Sequence, residues 1–158
     1  MGYEIGAKRG VANHYGPRGT DGQYGGQDNS VGKVKEASWT FDWDKLPAYT
    51  ASNLEMQLPA NATVLHAHLR VITAATSSGT ANMTVGLTTT AGVVVDADGL
   101  LTAANATWAL VQVKGNRIAG TGALVAKTIG ASACEITVAS AAALTAGRFE
   151  LVVQYQYN

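Results

Sequence analysis

Charge is scarce in this chain. Only 14% of its 158 residues are Asp, Glu, Lys or Arg, against about 25% in an average domain. Basic and acidic residues number 11 each, so the formal net charge is zero. A nucleic-acid binder carries an excess of Lys and Arg; none is present, and no nucleic acid is expected as a partner. Cysteine occurs once, at Cys134, which excludes a scaffold built on intrachain disulfides. Histidine occurs three times, at His14, His66 and His68. With so few histidines and acids, no general acid–base pair can be assembled from the sequence. No stretch approaches the ~20 apolar residues of a membrane-spanning helix. The opening MGYEIGAKRG lacks the apolar centre of a signal peptide, so neither membrane residence nor signal-led export is expected. GxSxG, P-loop and helix-opening GxGxxG motifs are missing as well.

What is present is uneven. Residues 1–48 hold 12 of the 22 charged residues, and nine of the 18 glycines precede Val34. Seven of the 11 aromatic residues fall within residues 1–49. Residues 1–33 show neither a two-residue nor a 3.6-residue period. Glycine at that density opposes an independent core, because ordering it costs the most backbone entropy. Spaced tyrosines distinguish the segment from a plain flexible linker. The chain is therefore expected to divide into an extended Gly/Tyr-rich arm, residues 1–34, and a folded domain, residues 35–158; the competing reading of the first segment is a disordered tail with incidental tyrosines. Within the arm Tyr3, Tyr15, Pro17, Arg18 and Tyr24 are the candidate contacts with another surface. Gly16-Pro17-Arg18-Gly19 reads either as a turn presenting Arg18 to an acidic groove or as plain chain punctuation.

From Lys35 onward a two-residue alternation dominates. It places Trp39, Phe41 and Trp43 on one face. It predicts a short strand within residues 52–58 and a long one over Thr63–Thr73, with Thr63, Leu65, Ala67, Leu69 and Val71 on one face and His66, His68 and Arg70 on the other. Ala81, Met83, Val85 and Leu87 mark another, and Val93–Val95 a short one. Asp96–Gly99 then reads as a turn or helix start and Leu100–Asn105 as one helical turn. Further strands are expected over Trp108–Lys114, over Gly120–Ile129 and around Cys134, Ile136 and Val138, with Ala141–Ala146 as a loop or short helix. A last strand carries Phe149, Leu151, Val153, Tyr155 and Tyr157. Eight or nine short strands with turns every 8–12 residues predict an all-β, antiparallel, jelly-roll-like sandwich.

Three local patterns suggest chemistry. His66 and His68 share a strand face and could hold one metal ion. Cupin-type sites follow such a pair with a glutamate, whereas Leu69-Arg70-Val71-Ile72-Thr73 supplies no acid, so two surface or interface histidines are the plainer reading. Asp96-x-Asp98-Gly99 opens like a calcium loop, but Leu100 and Leu101 occupy positions that need a ligand and a glycine; a turn held by an aspartate side chain fits better. Cys134 alternates with Ile136 and Val138, as a small buried hydrophobe does. No catalytic residue, cofactor or metal is assigned. Three Asn-x-Thr matches, beginning at Asn61, Asn82 and Asn105, carry no weight without a signal peptide.

The parts together resemble a family. His14-Tyr15-Gly16-Pro17-Arg18 lies in a Gly-rich arm ahead of a charge-poor Ala/Thr/Val sandwich. That sandwich contains Leu58–Val64 and Val95–Ala104 and ends in a strand over Arg148–Tyr157. This resembles the small structural proteins of tailed bacteriophages, especially capsid decoration (cement) or head-stabilising proteins; tail and fibre modules share the style. The resemblance implies a β-sandwich or jelly roll and no catalysis. It implies a place on the capsid surface after synthesis in the host cytoplasm. It also implies the major capsid protein as partner, clamped after shell expansion, and a homo-oligomer, a trimer being favoured. Standing against it are a head-fibre, collar or tail component, a carbohydrate-binding sandwich using exposed Trp and Tyr, and an enzyme with metal at His66 and His68.

Overall fold

The computed structural model describes residues 12–18, 24–31, 34–49 and 56–156. Ten strands and one helical turn follow in order: β1 (Ala12–Arg18), β2 (Tyr24–Val31), β3 (Val34–Asp42), β4 (Gln57–Leu58), β5 (Thr63–Ser77), β6 (Met83–Thr89), β7 (Val94–Ala106), α1 (Trp108–Val111), β8 (Arg117–Ala119), β9 (Cys134–Ser140) and β10 (Leu144–Gln156). They form a six-stranded sheet, β1-β2-β3-β10-β5-β8, and a four-stranded sheet, β4-β9-β6-β7. Every strand pairing is antiparallel.

The pairing is nested. β3 pairs with β10, β4 with β9, β5 with β8 and β6 with β7. One long antiparallel ribbon is thereby rolled up, so that β10 also meets β5 and β9 also meets β6. This is the eight-stranded, double-sheet jelly roll, and it bears out the expected all-β sandwich. β1 and β2 extend it beyond β3, with Asp28 opposite Ala37 and Ser30 opposite Lys35.

The core lies between the sheets. Phe41, Phe149 and Val71 form one cross-strand row, and Trp39, Leu151, Leu69 and Ile118 the next; all are buried. The rings of Phe41 and Phe149 are 5.8 Å apart and tilted by 34°, an offset geometry that favours aromatic pairs beyond the area they bury. Met83, Val85 and Leu87 of β6, Leu100 and Leu101 of β7, and Cys134 and Ile136 of β9 close the core from the other side. Trp43 lies past the end of β3 and is exposed.

Several expected elements are corrected, each by an interruption of the period. Leu65 does not face inward: Gln154 pairs with His66 while Tyr155 pairs with Val64. One extra residue on β5 makes a bulge, burying Val64 and exposing Leu65. Asp96–Asn105 is not a helical turn but the body of β7, and the turn expected at Asp96–Gly99 is present only as an arch within that strand. Leu87 pairs with Asp96 and Val85 with Leu101, so three surplus residues arch out while the strand continues. The Asp98 N–H donates to Asp96 Oδ1 at 3.2 Å within that arch. Gly86 lies beneath it, where a Cβ would fall 2.3 Å from the Asp96 carbonyl oxygen; only glycine permits that approach.

Trp108–Lys114 is not a strand, because Trp108–Val111 makes the helical turn α1, whose first N–H donates to Asn82 Oδ1 at 2.7 Å. Gly120–Ile129 is not one either. It forms turns that strap the two sheets: Gly120 N–H donates to Ala67 O of β5, Leu124 N–H to Gly99 O of β7 and Ala126 N–H to Val64 O of β5, each at 2.8 Å. Leu144 already belongs to β10, so the segment expected as loop or short helix ends early.

The β5 bulge gives a direct test by denaturant unfolding. Val64→Ala should lower stability by about 2 kcal/mol. Leu65→Ala should change it by no more than about 0.5 kcal/mol. The reverse ranking would mean that the plain alternation, not the bulge, sets the face.

Candidate functional site

The outer face of the six-stranded sheet gathers the polar side chains that alternation removes from the core. Its rows read Glu36–Gln154–His66, Ser38–Val152–His68–Ala119, and Thr40–Glu150–Arg70–Arg117. Most of its charges are matched within the face. Arg148 Nε meets Asp42 Oδ1 at 2.7 Å, Arg70 Nη1 meets Glu150 Oε2 at 3.3 Å, and Gln154 Nε2 donates to Glu36 Oε2 at 2.8 Å. Arg117 differs: no acidic side chain among the described residues lies within ion-pair distance of it. It also stands directly opposite Arg70, an unfavourable like-charge pairing.

A shallow groove of about 420 Å³ opens there, lined by His66, His68, Arg117, Ala119 and Gln154. The two imidazole rings are 5.5 Å apart, as i and i+2 on one strand face require. Ala119 stands opposite His68, and its small side chain leaves the space open. Burial first, then the positive charges of Arg117 and His66, lowers the His68 imidazole from its ordinary 6.5; Glu150 and Glu36 pull the other way.

Among the described residues no three His, Cys, Asp or Glu side chains converge to hold a metal ion. The histidines also face away from the sandwich interior, so a metal in the core is not theirs to bind. Cys134 is buried, its Sγ 3.5 Å from Ser132 O, and burial raises its thiol above the usual range, the opposite of an activated nucleophile. Trp39 is buried and Trp108 packs partly against the core, leaving Trp43 as the exposed tryptophan.

The expected arm contacts fall where only the backbone is described, or outside the described residues. Tyr15 pairs with Gly26 and Arg18 with Tyr24. One surplus residue on β1 lies between those pairs, where Gly16 and Pro17 fall; a bulge suits proline, which has no N–H for the ladder. Pro17, Arg18 and Tyr24 thus gather at one end of the β1–β2 hairpin. Tyr3 lies outside the described residues.

Sequence reasoning missed Arg117 and Gln154. The alternation in β10 already put Gln154 outward, but Arg117 sits in a three-residue strand too short to show a period. It missed Glu135 too, which is only 3% exposed and whose Oε2 has no hydrogen-bond partner among the described residues. Burying an unsatisfied polar atom costs about 1–3 kcal/mol, and more where it carries charge.

The groove makes stability depend on pH. Unfolding returns His68 to its ordinary value, so below pH 6.5 the unfolded chain takes up a proton that the folded chain still refuses. Stability is complete above that value and falls as pH drops from it to the lowered folded value. The melting temperature should therefore fall between about pH 7.5 and pH 5.5, and fall less in His68→Asn. Superimposable pH profiles for the two proteins would contradict the burial of this imidazole.

No protein-family model and no curated protein matches the chain. Two solved structures do. A chain of the cyanophage Pam1 capsid asymmetric unit aligns over 90% of this chain and 91% of its own length, at 18% identity and a TM-score of 0.47. A chain of the capsid of Ralstonia phage GP4 aligns over 82% and 87%, at 18% identity and a TM-score of 0.53. At that identity the GP4 likeness is one of fold: two chains build the same kind of sandwich over most of their lengths.

Proposed function

We propose that this chain is a non-enzymatic structural protein of a phage virion, which decorates and stabilises the capsid by binding the major capsid protein partly through its N-terminal segment. The observation that carries the reading is the fold shared with a chain of the Ralstonia phage GP4 capsid over 82% of this chain. A jelly roll alone serves lectins and enzymes as readily as capsids, so the surface has to agree. Its sparse, balanced charge resists burial between subunits less than an ordinary charged surface would. Many symmetric copies make individually weak contacts collectively strong.

The N-terminal hairpin is the proposed anchor, with Tyr3, Tyr15, Pro17, Arg18 and Tyr24 as its contacts. β1 is an edge strand of the larger sheet, and such an edge can accept a strand from a neighbour. Tyrosine gives contact area at low rotamer cost. The assembled state is a homo-oligomer, a trimer in the favoured form, on the outside of the shell.

Co-sedimentation with particles of the encoding phage tests this. The full chain should pellet with the particles. A chain starting at Val34 should keep a cooperative melt yet stay in the supernatant. Failure of both chains to pellet would overturn the capsid reading and favour a tail component or a glycan-binding module. Pelleting of both would remove the hairpin as anchor.

A further inference from the structure

We propose that the groove between β10, β5 and β8 is an oxyanion site, in which Arg117 holds a carboxylate or phosphate group and His66 and His68 supply further donors. Three observations converge. Arg117 is a cation without an acidic partner among the described residues, held opposite another arginine, Arg70, whose own partner is Glu150. It lines a groove of about 420 Å³ together with both imidazoles and the Gln154 side chain, space enough for a small oxyanion with some of its water. Of the two carboxylates on this part of the face, Glu36 accepts from Gln154 Nε2 and Glu150 pairs with Arg70, and neither makes an ion pair with Arg117.

A metal ion is the less suitable occupant. Two imidazoles make half a tetrahedral shell, the described residues offer no third ligand of the His, Cys, Asp or Glu kinds there, and Arg117 repels a cation. An oxyanion relieves that same repulsion. The planar guanidinium presents paired N–H donors matched to a carboxylate or phosphate edge, and each neutral imidazole adds one N–H.

The site should tighten as pH falls. Each imidazole gains a second N–H and a positive charge on protonation. The groups facing His68 are Arg117 from β8, His66 and Arg70 from β5, Glu150 from β10 and Glu36 from β3. Of these, Arg117 and His66 resist its protonation and the two glutamates assist it. A bound oxyanion adds to the assisting side, so binding and protonation reinforce one another. This holds independently of the virion reading, because it rests on the groove alone.

The test is an NMR titration of the full chain, following the imidazole and Arg Nε signals, at constant ionic strength to hold screening fixed. One arm uses inorganic phosphate at about pH 7.5 and the other succinate at about pH 6 and pH 7.5. Saturable shifts of His66, His68 and Arg117 are expected in at least one arm. In the succinate arm, whose carboxylates stay largely ionised at both pH values, binding should be several-fold tighter at the lower pH. Phosphate itself takes up a proton over this range, so its arm is compared at about pH 7.5 alone. The tighter arm identifies the phosphate or the carboxylate as the ligand class. Arg117→Gln, an exposed position, should weaken binding at least about tenfold while the melting temperature holds. No saturable shift in either arm up to about 50 mM, or equal binding by Arg117→Gln, would overturn the proposal. So would zinc saturating the two histidines while neither anion does.

Discussion

β10 is hydrogen-bonded along both edges, to β3 on one side and β5 on the other. Its register decides which residues of three strands face the core. Phe149, Leu151 and Val153 point inward with Phe41, Trp39, Leu69 and Ala67, while Glu150, Val152 and Gln154 point outward with Thr40, His68 and His66. Because the side-chain period is two, a slip of one residue would bury the charged set and expose the aromatic one. The pairing of β9 with β6 imposes the same discipline on the smaller sheet. With both pairings set, the nested ribbon has one way to roll up.

The register also explains the outer face. Cross-strand neighbours there are chemical complements: Asp42 with Arg148, Arg70 with Glu150, Glu36 with Gln154. Exposed pairs of this kind stabilise by only about 0–1 kcal/mol each, so their value is greater in specifying register than in holding the sheets together. Arg117 breaks the pattern because β8 is only three residues long and, among the described residues, no strand lies beyond it. The unbalanced cation and the open groove thus have a common cause in the short edge of the sheet.

The all-β class and most strands were legible in alternation, since β3, β6, β9 and β10 keep their period almost unbroken. The failures share a cause. Leu65 was misplaced because a bulge costs one residue and reverses the parity, and nothing in Thr63-Val64-Leu65-His66 announces it. Asp96-Ala97-Asp98-Gly99 has turn chemistry and does turn, with Asp98 N–H on Asp96 Oδ1, but as an arch inside β7. Its true signal lay elsewhere in the chain, in Gly86, which the arch requires at its closest approach. Trp108–Val111 has the composition of a strand, and the Asn82 side chain, distant in sequence, caps it as a helical turn. The histidine pair was legible as a pair on one face. Its companions Arg117 and Gln154 come from strands that only tertiary pairing brings alongside, so the groove was not.

The jelly roll supplies a polar outer face and, in β1, an edge strand of the larger sheet; the proposed assembly on a capsid would draw on both. The most direct measurement is the copy number of this chain in purified phage particles, by quantitative mass spectrometry against the shell protein. The account predicts a number in simple symmetric proportion to the shell protein. Absence from the particles, or the few copies of a collar or tail part, would contradict it.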